Sequence, residues 1–145
     1  MDDNLHISTD KDRLDIGLIH GFLSTGSTWA QGIPLSTVRR AIDHSLCFGG
    51  YAGEDQVAFA RVISDFATFA NLVDVFVLPE HRAKGYGKRV VDAVMAHPDL
   101  QGLRRFTLAT FDAHDLYARH GFTTPSCPGT LMEIYRPGIY QPAPL

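Results

Sequence analysis

Residues 72–88 read Leu-Val-Asp-Val-Phe-Val-Leu-Pro-Glu-His-Arg-Ala-Lys-Gly-Tyr-Gly-Lys, and no other stretch restricts the fold so tightly. An apolar strand is stopped by Pro79, passes through a basic turn containing Gly85 and Gly87, and gives way to a helix with the apolar stripe Val90, Val91, Val94 and Met95. His97-Pro98 ends that helix. At a helix N-terminus the unpaired N–H groups and the positive end of the macrodipole hold phosphate oxygens, and glycines let the backbone come close to them. Arg82, Lys84, Lys88 and Arg89 cluster around this turn and make it a local anion site. The pattern lacks the Gly-Lys-Ser/Thr of a P-loop and the third glycine of a dinucleotide fingerprint, so both of those nucleotide readings fail.

The remaining chain fits one α+β domain over residues 1–145 with a mixed sheet. Apolar residues at helical spacing predict helices over 13–23 and 35–44, separated by a Gly- and Ser-rich loop that holds the single tryptophan, Trp29. Extended patterns over 46–52, 57–64 and 69–78 predict three consecutive antiparallel strands. A strand over 106–110, a short helix over 113–120 and a last strand over 131–135 follow, and the Pro-rich segment 136–145 is expected to be weakly ordered.

A formal net charge of −3 and the absence of a long basic run argue against nucleic acid as a partner. No apolar run approaches the roughly 20 residues of a membrane span, and Met1-Asp2-Asp3-Asn4 is acidic where a secretory leader is basic, so a cytoplasmic protein is expected. Cys47 and Cys127 have no second cysteine at ligand spacing and the histidines are scattered, so no metal is expected.

Arg82-Ala83-Lys84-Gly85-Tyr86-Gly87 resembles the acetyl-coenzyme A signature of the GNAT superfamily, Arg/Gln-x-x-Gly-x-Gly/Ala. Ala113-His114-Asp115-Leu116-Tyr117-Ala118-Arg119-His120-Gly121-Phe122 resembles its second motif, Ala-x-x-Leu-Tyr-x-x-x-Gly-Phe. The resemblance implies a mixed, largely antiparallel sheet flanked by about four helices, and transfer of an acetyl group from acetyl-CoA to a primary amine by direct attack. The acceptor would be a small molecule or a peptide, and homodimer formation is left open. The alternative of a different class is a non-catalytic acyl-CoA-binding sensor or interaction module.

By the same resemblance, the turn Arg82, Ala83, Lys84, Gly85, Tyr86, Gly87 and Lys88 binds the pyrophosphate, while peptide groups of Val75, Phe76 and Val77 pair with the pantetheine arm and supply an oxyanion donor. Tyr117 would protonate the leaving sulfur. Thr110 stands where the family often has a coenzyme-contacting asparagine, and His114 stands where an aliphatic residue is usual. Direct attack leaves Cys47 without a nucleophilic role.

Asp74 interrupts an apolar strand and is the candidate general base, with structural pairing to an arginine or a backbone group as its alternative; Asp65 is a second choice. The acceptor pocket is expected at Trp29 and Thr28, with Phe48, Tyr51 and Phe66 as further walls, an aromatic lining suited to a hydrophobic amine or a cation.

Overall fold

A computed structural model describes residues 4–141. The N-terminal Met1-Asp2-Asp3 and the last four residues of the Pro-rich segment lie outside the described residues. Five strands, β1 (Leu5–Ser8), β2 (Leu46–Ala52), β3 (Asp55–Ser64), β4 (Phe69–Val77) and β5 (Arg105–Leu108), form one sheet in that order. The first four are antiparallel and β5 joins β4 in parallel. Helices α1 (Ile16–Gly21) and α2 (Leu35–Asp43) lie on one face; α3 (Tyr86–Ala96) and α4 (His114–Ala118) lie on the other.

Alternation along the strands feeds these two cores, because successive side chains of a strand point to opposite faces. On β2, Cys47 joins Val38 and Ile42 under α2, whereas Phe48 joins Val90, Val91 and Val94 under α3. On β4 the alternation slips. Ala70 and Leu72 face α3, yet Phe76, in phase with them, packs on the α1 side against Phe22, with ring centroids 4.0 Å apart. The cause is a β-bulge: Val73 pairs with Arg61 and Phe76 with Phe59, so Asp74 and Val75 together oppose Ala60. Asp74 carries φ 54° at the bulge, a left-handed conformation that Asp tolerates better than most residues.

Several sequence expectations need correction. The first helix starts at Ile16, three residues later than its apolar period, because Asp15 accepts a hydrogen bond from the Leu18 amide (3.0 Å) and caps it there. β1 was hidden by its four-residue length. The strand expected over 106–110 ends at Leu108, and no strand forms over 131–135, where the backbone finds no partner strand. The segment expected to be loose is held down at its described end: Tyr140 packs on the α1/α2 core and Gln141 Nε2 donates to the Gln31 carbonyl at 2.7 Å.

Gly49 shows how tightly β2 is packed. A Cβ there would lie 2.3 Å from the hydroxyl oxygen of Tyr51 on the same face. Gly49→Ala is expected to destabilise the fold by about 2–3 kcal/mol in urea unfolding. Tyr51→Phe in the same chain should recover part of that loss, because it removes the nearest atom.

Candidate active site

The sequence after β4 folds into a one-turn 3-10 segment, Pro79–His81, and then a turn that enters α3. Ala83 (φ 63°) and Gly85 (φ 79°) are both left-handed, and Gly85 occupies the N-cap position without any side-chain cap on the helix. The first amides of α3 therefore have no intrahelical partner and no capping oxygen. Gly85 is needed for its positive φ; Gly87 is not, since it sits inside the first turn of α3. A Cβ on Gly87 would meet nothing within 4 Å. A helical glycine is less stable than alanine by about 0.5–1 kcal/mol, and neither backbone nor packing requires this one. Its missing side chain keeps clear a space at an uncapped helix N-terminus, the cradle an anionic group would fill.

The side chains around the turn are partly engaged. Arg82 Nε donates to the Val77 carbonyl (2.9 Å), Lys88 Nζ pairs with Asp92 (2.9 Å), and Lys84 Nζ lies 5.9 Å from the centre of the Tyr86 ring. Tyr86 itself is buried in the α3 core, so its amide but not its ring is available to a ligand at the turn.

β4 and β5 pair only from Phe69–Arg105 to Leu72–Leu108. Beyond Leu108 the strands part, and the β5-facing peptide edge around Val75, Phe76 and Val77 has no strand partner. The bulge lies at the mouth of this gap and re-aims the peptide groups next to it. An extended chain entering the gap would meet a ready strand edge.

Tyr117, on α4, is 8% exposed, belongs to the α3-side core against which Val75 and Val77 also pack, and lies edge-on against Phe122. Burial, with a contribution from the Asp112 charge, raises its phenol above the ordinary tyrosine value. Thr110 Oγ1 accepts from the Ala113 amide (3.0 Å) at the start of α4, which leaves its O–H free to donate. α4 is tied to α3 by His120, whose ring contacts Asp92 Oδ1 (2.7 Å) and the Leu116 carbonyl (3.1 Å). No hydrogen bond joins Asp112 and His114 among the described residues.

On the α1 side of β4, Asp74 has two partners. Trp29 Nε1 donates to Oδ1 and Arg61 Nε to Oδ2, both at 2.9 Å, and Arg61 Nη1 donates to Ser45 Oγ at 3.0 Å. Asp74 is thus the partner of an arginine and the anchor of the tryptophan loop. Arg61 and Ser45 were missed in the sequence; the available signal was one arginine inside the apolar run 57–63, on the strand next to that of Asp74. Trp29 and Thr28 are exposed at the loop, with Trp29 6.3 Å from Phe22.

The other expected pocket walls do not join them. Phe48 points to the α3 core, Tyr51 is buried beneath the Arg13 guanidinium (4.4 Å), and Phe66 sits at the β3–β4 turn, at the opposite end of β4 from the glycine turn. Asp65 caps that turn. The Thr68 amide and hydroxyl, then the Ala67 and Phe69 amides, hold its carboxyl well below the ordinary range, which makes it a poor base.

Cys47 is buried, its thiol pushed up to about 11 by desolvation, while Cys127 is exposed. Native protein is expected to take up one equivalent of iodoacetamide quickly at Cys127. Cys47 should react only on unfolding, and peptide mapping of the labelled protein checks this. Among the described residues no three His, Cys, Asp or Glu side chains gather as a metal group.

Comparison with known proteins agrees with this geometry. The family model described as "Acetyltransferase (GNAT) domain" matches residues 43–124. A crystal structure from Xanthomonas campestris pv. campestris, described as an acetyltransferase of the GNAT family, is 68% identical, covering 96% of this chain and 98% of its own, with TM-score 0.94. A Gibberella zeae protein named as an acetyltransferase, FG08082, is 31% identical over 136 residues, 79% of this chain and 76% of its own. A more distant fold relative, Mycobacterium tuberculosis Rv2747, was solved in complex with CoA (22% identity, 81% of this chain, 71% of its own, TM-score 0.66). An uncapped glycine turn, a parted β4/β5 pair and a buried tyrosine on α4 thus occur in a chain matched over most of its length by acetyltransferases, and the protein belongs to the GNAT acetyltransferase family.

Proposed function

We propose that the protein transfers an acetyl group from acetyl-CoA to a primary amine by direct attack. The observation that carries this reading is the open space over Gly87 at the uncapped start of α3, where a bound anionic group would have room to reach the free amides. The CoA complex of Rv2747, a protein of the same fold, supports the choice of ligand.

When bound, acetyl-CoA supplies the reactive thioester. The amides from Arg82 to Lys88 hold the pyrophosphate oxygens, with Gly85 and Gly87 giving the clearance. Val75, Phe76 and Val77 offer their free peptide edge to the pantetheine, and Arg82 releases the Val77 carbonyl as the arm pairs there. A backbone N–H at the bulge faces the developing oxyanion, a contribution of about 3 kcal/mol. Tyr117 donates its phenolic proton to the departing sulfur, and Thr110 offers its O–H to the same chain.

The amine enters from the loop of Thr28 and Trp29. Asp74 fixes that loop through the indole, and the ammonium proton leaves through solvent. A carboxylate already ion-paired to Arg61 is better suited to positioning than to proton abstraction. Asp74→Asn is therefore expected to raise KM for the amine about tenfold with kcat little changed. Loss of the ion pair should also lower stability by about 1.5–3 kcal/mol. Steady-state kinetics decide between the roles, since removal of a general base would lower kcat by 100-fold or more at unchanged KM.

Calorimetric titration with acetyl-CoA, followed by a panel of amines with free thiol release as the signal, tests the whole reading. Saturable binding and amine-dependent thiol release are expected. No binding would overturn the proposal, and binding without turnover on any amine would favour an acyl-CoA sensor.

A further inference from the structure

α4, the element that carries Tyr117, is a helix of only five residues with no side-chain cap at its start. A helix this short does not hold itself together in water. Its place in the fold, and with it the place of the Tyr117 hydroxyl, is set by contacts to other elements. Tyr117 and Phe122 supply the apolar part of that hold in the α3-side core.

The polar part comes from His120. Its amide donates to the Tyr117 carbonyl (3.0 Å), so the Leu116 carbonyl is left to the imidazole, which meets it through Nδ1 at 3.1 Å. Nε2 meets Asp92 Oδ1 on α3 at 2.7 Å, and the His120 side chain is 10% exposed. Lys88 first, and His120 second, hold the Asp92 carboxyl below the ordinary range, so it is ionised. A carbonyl and a carboxylate both accept and do not donate. A ring between two acceptors satisfies both only when each nitrogen carries a proton; the neutral ring donates to one and loses the other. The imidazolium charge also stands at the negative, C-terminal end of α4. The other titratable or charged side chains that share a cavity wall with His120 are Arg104, Arg105, His114 and Tyr117, and none of them is bonded to the ring among the described residues.

We propose that His120, as the imidazolium, is a positioning residue for the reaction: it ties the end of α4 to α3 and thereby sets Tyr117 for protonation of the leaving sulfur. The inference rests on the acetyl-transfer role given to Tyr117 above. The tie also reaches the coenzyme turn, because Lys88 and His120 take the two oxygens of the same carboxylate, Asp92. Loss of the ring proton gives up one of the two contacts. Activity that depends on this tie is therefore present while His120 is charged and falls as pH rises through its titration, in a limb separate from that of Tyr117 itself.

Steady-state kinetics on wild type, His120→Ala, Tyr117→Phe and the double variant test this. His120→Ala is expected to lower kcat about 10- to 100-fold, the cost of a small displacement of a reacting group, with the acetyl-CoA dissociation constant within about twofold. In the Tyr117→Phe chain the same substitution should change kcat by less than about twofold, since no acid is left to position. His120→Gln keeps a donor toward Asp92 without a titrating ring; it should recover part of the rate and lose the pH limb. In wild type that limb should coincide with the His120 ring titration followed by NMR. Amide hydrogen exchange, which needs no acceptor, should quicken over α4 in His120→Ala and stay unchanged over β2, β3 and β4. Wild-type kcat in His120→Ala, an equal loss in both backgrounds, a pH limb that does not follow the ring, or unchanged exchange over α4 overturns the proposal. If Tyr117→Phe keeps wild-type kcat while His120→Ala does not, it is the acid role of Tyr117 that fails, and this inference falls with it. If His120→Ala does not fold, His120→Gln takes its place in the same comparison.

Discussion

Gly87→Asp is expected to weaken acetyl-CoA binding at least 100-fold while the protein melts at or slightly above the wild-type temperature. The two effects separate because they have different causes. Inside the first turn of α3 the substitution meets no protein atom, replaces a glycine in a helix, and places a carboxylate near the positive end of the helix dipole. Of the last two changes, the first favours the fold by only about a few tenths of a kcal/mol, because aspartate is itself a weak helix former, and the second by about 0.3–1 kcal/mol. The same carboxylate fills the space proposed for the pyrophosphate and repels it, and a 100-fold loss corresponds to only about 2.7 kcal/mol. Calorimetry and thermal denaturation on one preparation give both numbers. Gly87→Ala adds volume without charge and should fall between. A Gly87→Asp variant that binds acetyl-CoA normally would move the coenzyme away from this turn.

Tyr117→Phe is expected to lower kcat by about 100- to 1,000-fold with the acetyl-CoA dissociation constant within about twofold of wild type. The ring is buried against Phe122 and stays in place when only the hydroxyl is lost, so folding should be little affected. The pH dependence has a definite sign. Burial raises the phenol above the ordinary value of about 10, so the neutral, proton-donating form persists through the working range. An alkaline limb of kcat due to Tyr117 therefore lies above about 10 and disappears in the Phe variant. A folded-state value above the unfolded one also means that the associated stability is fully present below the unfolded value and is lost as pH rises through the folded one. Phenolate absorbance in a pH titration locates the folded value; a Phe variant with wild-type kcat would remove Tyr117 from the chemistry.

The coenzyme turn was legible because its signals are local. Pro79, Gly85 and the apolar period after it fix strand end, left-handed turn and helix start within a few residues, and α3 begins at Tyr86 as that reasoning requires. The three long antiparallel strands and α2 were legible for the same reason. The bulge was not. The run 72–78 is so uniformly apolar that a one-residue slip in alternation leaves no visible mark apart from Asp74 itself.

The acceptor side depended on which face each aromatic occupies, and that was beyond reach of the sequence. Phe48 and Tyr51 look equivalent as residues of one strand, but neither lines the loop of Trp29: one fills the α3 core and the other lies under Arg13. The pairing of Arg61 with Asp74 joins residues 13 apart in sequence through the register of two strands, and the indole of Trp29 reaches the same carboxylate across 45. The segment 131–135 shows the opposite case: its strand-forming composition led to an expected strand, but the fold offers it no partner and no strand forms. Backbone dihedrals, caps and glycine turns are settled by neighbours along the chain, so the sequence alone determined the turn, the helix behind it and the family signature. Register, the slip at Asp74 and the partners of its carboxylate depend on contacts between distant segments, and only the tertiary structure decided them.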